Sequence, residues 1–226
     1  MLILRPVFIQ IFFLLTACFP SLVKATDSEL WIFQHLAIDR AENHEVFVGL
    51  HARARESGTP SLYQIQPRFA FRLHQWLWLG SNYSFFGIRR TGDFARSEDL
   101  FSNQHRLEGE IQARLFLSKD IRYIARNRFE YLMNSSLDNI NERFRHRSQF
   151  LLDSFSDGFG TLISQSEVFY DFQLSNFNQT RTVPLGLRIS FESWSIQLQP
   201  MILHLRVPEK GWTSRFVANI ELTYEF

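Results

Sequence analysis

From residue 29 onward, apolar and polar side chains alternate along the chain, which is the period of a strand with one greasy and one wet face. In "EVFVGLHARAR", Val46, Val48, Leu50, Ala52 and Ala54 share a face against Phe47, Gly49, His51, Arg53 and Arg55. "RLEGEIQARLFL" sets Leu107, Gly109, Ile111, Ala113, Leu115 and Leu117 against Arg106, Glu108, Glu110, Gln112, Arg114 and Phe116. "IRYIARNRFEYL" sets Ile121, Tyr123, Ala125, Phe129 and Tyr131 against Arg122, Arg126, Arg128 and Glu130. The final stretch puts Phe216, Ala218, Ile220, Leu222, Tyr224 and Phe226 opposite Arg215, Asn219, Glu221, Thr223 and Glu225. Turn signals divide the chain into strand segments at 29–38, 45–55, 62–73, 76–86, 104–117, 121–132, 142–152, 161–172, 181–191, 194–205 and 215–226.

Alternation of this kind fits any half-buried antiparallel sheet, and three further features narrow it. The segments exceed the soluble mode of about 5–6 residues and match the length of about 9–11 that a tilted membrane strand needs. Trp31, Tyr63, Trp76, Trp78, Tyr83, Tyr131, Tyr170, Trp194 and Tyr224 stand near segment ends, as interfacial girdles do. The polar faces are dense in Arg and Glu, as a wet lumen requires. The expectation is an all-β, antiparallel, up-and-down transmembrane barrel. Eleven segments are counted, but single-chain bacterial barrels close with even numbers, so ten or twelve strands are expected, with the miscount in 29–60.

Composition adds the compartment. Of 226 residues, 24 are Phe, 5 Trp and 6 Tyr, yet 21% are charged, and the net charge of +1 gives no nucleic-acid footprint. The start of the chain has one basic residue, Arg5, an apolar run from Val7 to Phe19, a break at Pro20, and small residues Val23 and Ala25 at the cut. That is the plan of a secretory signal peptide over residues 1–25, cut after Ala25, leaving a barrel domain over 26–226. "LTAC" offers the minority alternative of a lipoprotein anchored at Cys18, the only cysteine. Removal of the leader leaves no thiol for disulfides or metal. The location expected is the outer membrane of a Gram-negative bacterium.

The closing strand, with Ile220, Leu222, Tyr224 and Phe226, resembles the signal by which outer-membrane barrels reach their insertion machinery. Most of the mature chain resembles a group of exported outer-membrane-type barrels classed as a domain of unknown function. The resemblance rests on the early Trp31 strand, "QHRLEGEIQARLFL", "IRYIARNRFEY", "RFRHR" and "NQTRTVPLGLRISF". It implies a membrane barrel, and it implies no reaction and no functional residue.

The candidate chemistry is a ladder of charge: Arg106, Glu108, Glu110 and Arg114, then Arg122, Arg126, Arg128 and Glu130, then Arg143, Arg145 and Arg147. Across a narrow lumen these form either a paired network that plugs the interior or an arginine-rich path favouring anions. The leading reading is a structural or narrow small-solute channel protein. A membrane-embedded acyl hydrolase or transferase is the alternative, because His146 and Ser148 share the face opposite the arginines of one strand. Residues two apart on a strand stand about 7 Å apart, so that pair works only if the side chains meet. A soluble periplasmic or lipidated barrel binder is the third class. Histidines 35, 44, 51, 74, 105, 146 and 204 have no metal-ligand spacing, and no catalytic, metal or cofactor residue is assigned. Expected partners are outer-membrane lipid and lipopolysaccharide, which the basic stretch around Arg89 or loop acids Asp93, Glu98 and Asp99 would touch. The barrel is expected to be a monomer.

Overall fold

The computed structural model describes residues 28–55, 59–89, 101–134, 139–153, 160–207 and 210–225. The leader with Cys18, the loop acids Asp93, Glu98 and Asp99, and Phe226 lie outside the described residues. Eleven strands follow one another: β1 Ser28–Arg40, β2 His44–Arg55, β3 Thr59–His74, β4 Leu77–Arg89, β5 Phe101–Phe116 and β6 Ile121–Asn134. The remainder are β7 Asn139–Asp153, β8 Gly160–Asp171, β9 Asn176–Ser190, β10 Trp194–Val207 and β11 Gly211–Glu225. Each pairs antiparallel with the next, and the sheet closes into a barrel where β1 meets β11.

That closure corrects the sequence-based expectation of ten or twelve strands in a wholly antiparallel barrel. All eleven segments are strands, and β1 lies parallel to β11 from Ser28 opposite Phe216 to Ala37 opposite Glu225. Closing a barrel requires every edge N–H and C=O to find a partner. A parallel ladder meets that requirement as well as an antiparallel one, at slightly lower stability per residue. Consequently β1 begins at the rim where β11 begins, and β11 ends at the other. These are the Ser28 rim and the Glu225 rim below.

Several strands also run longer than the sequence signals suggest. The ends of the polar stretches "MNSSLDNIN" and "RVPEKGWTS" are strand, because β6 continues to Asn134, β7 starts at Asn139, β10 continues to Val207, and β11 starts at Gly211. Ladder hydrogen bonds carry strands beyond the last apolar residue. Near the middle of β9 and β10 the register shifts between Leu198 and Ile202. Pro184 and Pro200 lie there and have no N–H to offer a ladder. Gly186 lies in the same shift, where an added Cβ would come 3.0 Å from the Leu198 carbonyl oxygen. Past the shift, β9 presents Arg188 to the lumen, as it presents Arg181 before it.

The parallel seam has a direct check. With Cys18 replaced by serine, Gln34→Cys combined with Leu222→Cys joins residues that are register partners. Oxidation is expected to cross-link the refolded barrel nearly completely, because neighbouring strands fall within the Cα separation of about 4.4–6.8 Å that a disulfide tolerates. Gln34→Cys with Ala218→Cys, offset by four residues or about 13 Å along the strand, is expected to remain reduced. Equal linking of both pairs, read as gel mobility, refutes the register.

Candidate functional site

Alternation sends one face of every strand inward, and there the three ladders meet. Direct register neighbours are often like-charged: Glu108 stands opposite Glu130, and Arg128 opposite Arg145. Such pairs are unfavourable unless opposite charge reaches in diagonally, and it does. Arg128 donates from Nε to Glu110 at 2.6 Å and lies 3.0 Å from Glu108. Arg143 donates to Glu130 at 2.5–2.7 Å, and Arg145 bridges Glu130 at 2.5 Å and Glu167 at 2.9 Å. Arg106 Nε sits 2.6 Å from Glu108, an ion contact not aligned as a hydrogen bond. Arg126 lies 3.7 Å from both Glu110 and Glu167. Nearer the Glu225 rim, Arg114 grips Glu45 with both terminal nitrogens, at 2.8 and 2.9 Å, and Arg122 holds Asp153 at 2.8 Å. Arg147 has no carboxylate within ion-pair distance among the described residues. The carboxylates of Glu108 and Glu130 are fully shielded from solvent, so their charge is sustainable only by these guanidiniums.

The structure thus brings the three sequence ladders together and adds members that the sequence reading missed. Glu45, Arg68, Glu167 and Arg181 complete the network, Arg68 reaching Glu110 at 2.7 Å and Arg181 reaching Glu167 at 3.5 Å. Each occupies an inward parity position, but in stretches too sparse in charge to read as a ladder. Aromatics also fill the lumen. Phe169 is fully buried beneath the guanidiniums of Arg143, Arg145 and Arg181, at 4.5–5.0 Å. Trp31 is buried under Arg53 at 3.8 Å and Arg181 at 4.8 Å, and donates its indole N–H to Glu29 at 2.9 Å. Trp31 and Trp78 therefore leave the expected outer girdle; Trp78 faces the lumen beside Arg114. Trp31 also packs with Val183, Met201, Leu203 and Val217, so the Ser28 half of the lumen holds a core.

A cavity of about 570 Å³ occupies the rest, lined from Arg40, Arg72 and Glu225 at the Glu225 rim inward to His51 and Arg106. Arginines outnumber carboxylates on its walls, which leaves it electropositive. Among the described residues, no group of three His, Cys, Asp or Glu side chains could hold a metal ion.

The outward face is largely apolar, with Ile65, Leu107, Ile111, Phe129, Phe150 and Phe216 each about half exposed, while at the β1 seam the outward Leu30, Ile32 and Ala54 are buried against Ala218 and Ile220. Ile220, Leu222 and Tyr224 of the closing strand point the same way. Charged residues on this side, such as Glu142 and Arg206, stand near strand ends. Polar residues interrupt the belt at Gln34, Ser81, Ser164 and Ser166, and a hydrogen-bonded cluster of them does so on β6 and β7. His146, the middle residue of β7, contacts Ser148 Oγ through Nε2 at 3.0 Å and Asn127 Oδ1 through Nδ1 at 2.8 Å. Tyr123 OH lies 3.1 Å from Ser148 Oγ. His146 and Ser148 do meet: the side chains lean toward each other across the 7 Å that separates their backbones. Asn127 is the register partner of His146, a proximity that only strand pairing reveals.

Comparison of the chain with protein-family models found no match, and a search of curated proteins found none.

Proposed function

We propose that this protein is an integral outer-membrane β-barrel of a Gram-negative bacterium, exported by its leader and akin to the uncharacterised barrel group it resembles. The observation that carries the reading is the outward belt. An exposed apolar surface around most of a closed barrel, with charge confined to the lumen and the rims, is solvated by hydrocarbon and not by water. Tyr63, Tyr131 and Trp212 toward the Ser28 rim, and Trp76, Trp194 and Tyr224 toward the Glu225 rim, supply aromatic girdles. The surrounding ligands are membrane lipid and lipopolysaccharide, the insertion machinery acts on β11, and the barrel works as a monomer.

Within that reading the lumen is a rigid, blind vestibule. The paired carboxylates around Glu130 and the arginine-covered rings of Trp31 and Phe169 occupy the cross-section at the Ser28 half, so a structural barrel is favoured over an open channel. The arginine-lined cavity favours one second reading, a narrow anion path with this network as its constriction. Two measurements test both. Cell fractionation is expected to leave the protein in membranes until detergent is added, and its release by osmotic shock alone refutes the membrane assignment. Planar bilayers containing the refolded protein are expected to carry no steady current; a steady anion-selective current establishes the second reading in place of the first.

A further inference from the structure

A polar cluster in the middle of a lipid-facing belt needs a reason, because each unpaired polar group there costs several kcal/mol and strands tolerate charge least near mid-membrane. Ionisable side chains within such a surface mark functional sites by default. We propose that Asn127, His146, Ser148 and Tyr123 form a serine-hydrolase site on the outer wall of the barrel, cleaving acyl esters of membrane lipids. The lipid as substrate rests on the membrane reading above; the hydrolytic chemistry does not.

The hydrogen-bond pattern gives each group a role. Asn127 Oδ1 can only accept, so the proton it meets at 2.8 Å is on His146 Nδ1. Nε2 is then the free lone pair, and Ser148 Oγ, 3.0 Å away, donates to it. This is the arrangement that makes a serine nucleophilic: a base in reach and a third group fixing its tautomer. Ser148 Oγ attacks the ester carbonyl carbon as its proton passes to Nε2. The C–O bond forms, and the carbonyl π pair moves to oxygen. Tyr123 OH, 3.1 Å from Oγ, is the donor placed to meet that oxyanion. Collapse expels the alkoxide, which takes the proton from His146. Water, deprotonated by the same imidazole, then attacks the acyl carbon; the acyl C–Oγ bond breaks, the fatty acid leaves, and the imidazolium returns its proton to Ser148 Oγ.

A separate feature supplies a place for the acyl chain. On the same wall an apolar groove of about 620 Å³ is lined by Pro67, Phe69, Tyr83, Leu107, Gly109 and Phe129. Phe129 is the outward neighbour of Asn127 on β6 and packs on Phe144 of β7, with ring centroids 5.1 Å apart. The groove therefore ends at Phe129, about 7 Å along β6 from Asn127. Gly109 keeps its floor open, since a Cβ there would meet nothing within 4 Å.

The test uses the full chain refolded in detergent, with a fluorophosphonate probe and with phosphatidylethanolamine in mixed micelles. The wild type is expected to be labelled and to release fatty acid. Ser148→Ala is expected to abolish labelling, and both Ser148→Ala and His146→Ala to lower release by about 10³-fold or more. Tyr123→Phe is expected to lower kcat by about 10²-fold with KM little changed, as loss of an oxyanion donor does. Gly109→Leu, which fills the groove, is expected to raise KM for long-chain esters and leave short-chain esters unaffected. Ser214→Ala, on a different strand, is expected to match the wild type. A barrel that remains folded by gel heat-modifiability yet is neither labelled nor hydrolytic overturns the proposal. So does release that survives Ser148→Ala. Ser148 labelling in a protein that fractionates as soluble would overturn the lipid substrate and retain the hydrolase.

Discussion

Glu130→Ala is expected to lower the unfolding free energy of the refolded barrel by about 3–5 kcal/mol, the range for breaking one side of a buried ion pair. Arg143 donates two hydrogen bonds to that carboxylate and forms no other ion pair among the described residues. Arg145 retains Glu167, and Arg106 retains Glu108, so the loss falls mainly on Arg143. An uncompensated guanidinium in a shielded lumen then has to hydrate or swing away, and either outcome disturbs the register of β6 against β7. Glu130→Gln keeps the shape and one acceptor and is expected to lose less. Denaturant titration of the refolded protein, followed by tryptophan fluorescence, measures both. Equal stability of Glu130→Ala and the wild type would mean that the network is solvated and not structural.

Trp31→Ala is expected to produce a loss of similar size, about 3–5 kcal/mol, as removal of a large buried aromatic does. Trp31 is 2% exposed and touches both halves of the lumen chemistry. Its ring packs on Val183, Met201 and Val217, and its faces meet Arg53 and Arg181. Truncation leaves an apolar cavity and removes two cation–π contacts, while Glu29 keeps Arg215 at 3.0 Å. Trp31→Phe preserves most of the packing and is expected to retain more than half of the stability lost by the alanine variant. If Trp31→Ala is as stable as the wild type by the same titration, the Ser28 half of the lumen is not a packed core.

Much of this architecture can be read from the alternation of residues. Every one of the eleven segments is a strand, and the inward faces of β5, β6 and β7 carry Arg106 through Arg147 as that alternation requires. The errors have specific causes. The even strand count came from a rule about other barrels, whereas hydrogen-bond closure demands only that β1 and β11 pair. A position near strand ends predicts Trp31 and Trp78 at the outer interfaces, but parity puts both indoors, where guanidinium faces hold them. Glu167 and Arg181 have no charged residue two positions away on their strands and gain meaning only beside Arg145.

The sequence by itself determined where the eleven strands lie, which face of β5, β6 and β7 is charged, and that the charges gather on one side. Period two is a local property of the backbone, so it survives in one dimension. Tertiary structure alone decided the parallel seam, the partner of each arginine, and the meeting of Asn127 with His146 across nineteen positions of chain. Those depend on which strands become neighbours and in what register, and long side chains then reach diagonally to whichever opposite charge or lone pair the closed sheet has brought within a few ångströms.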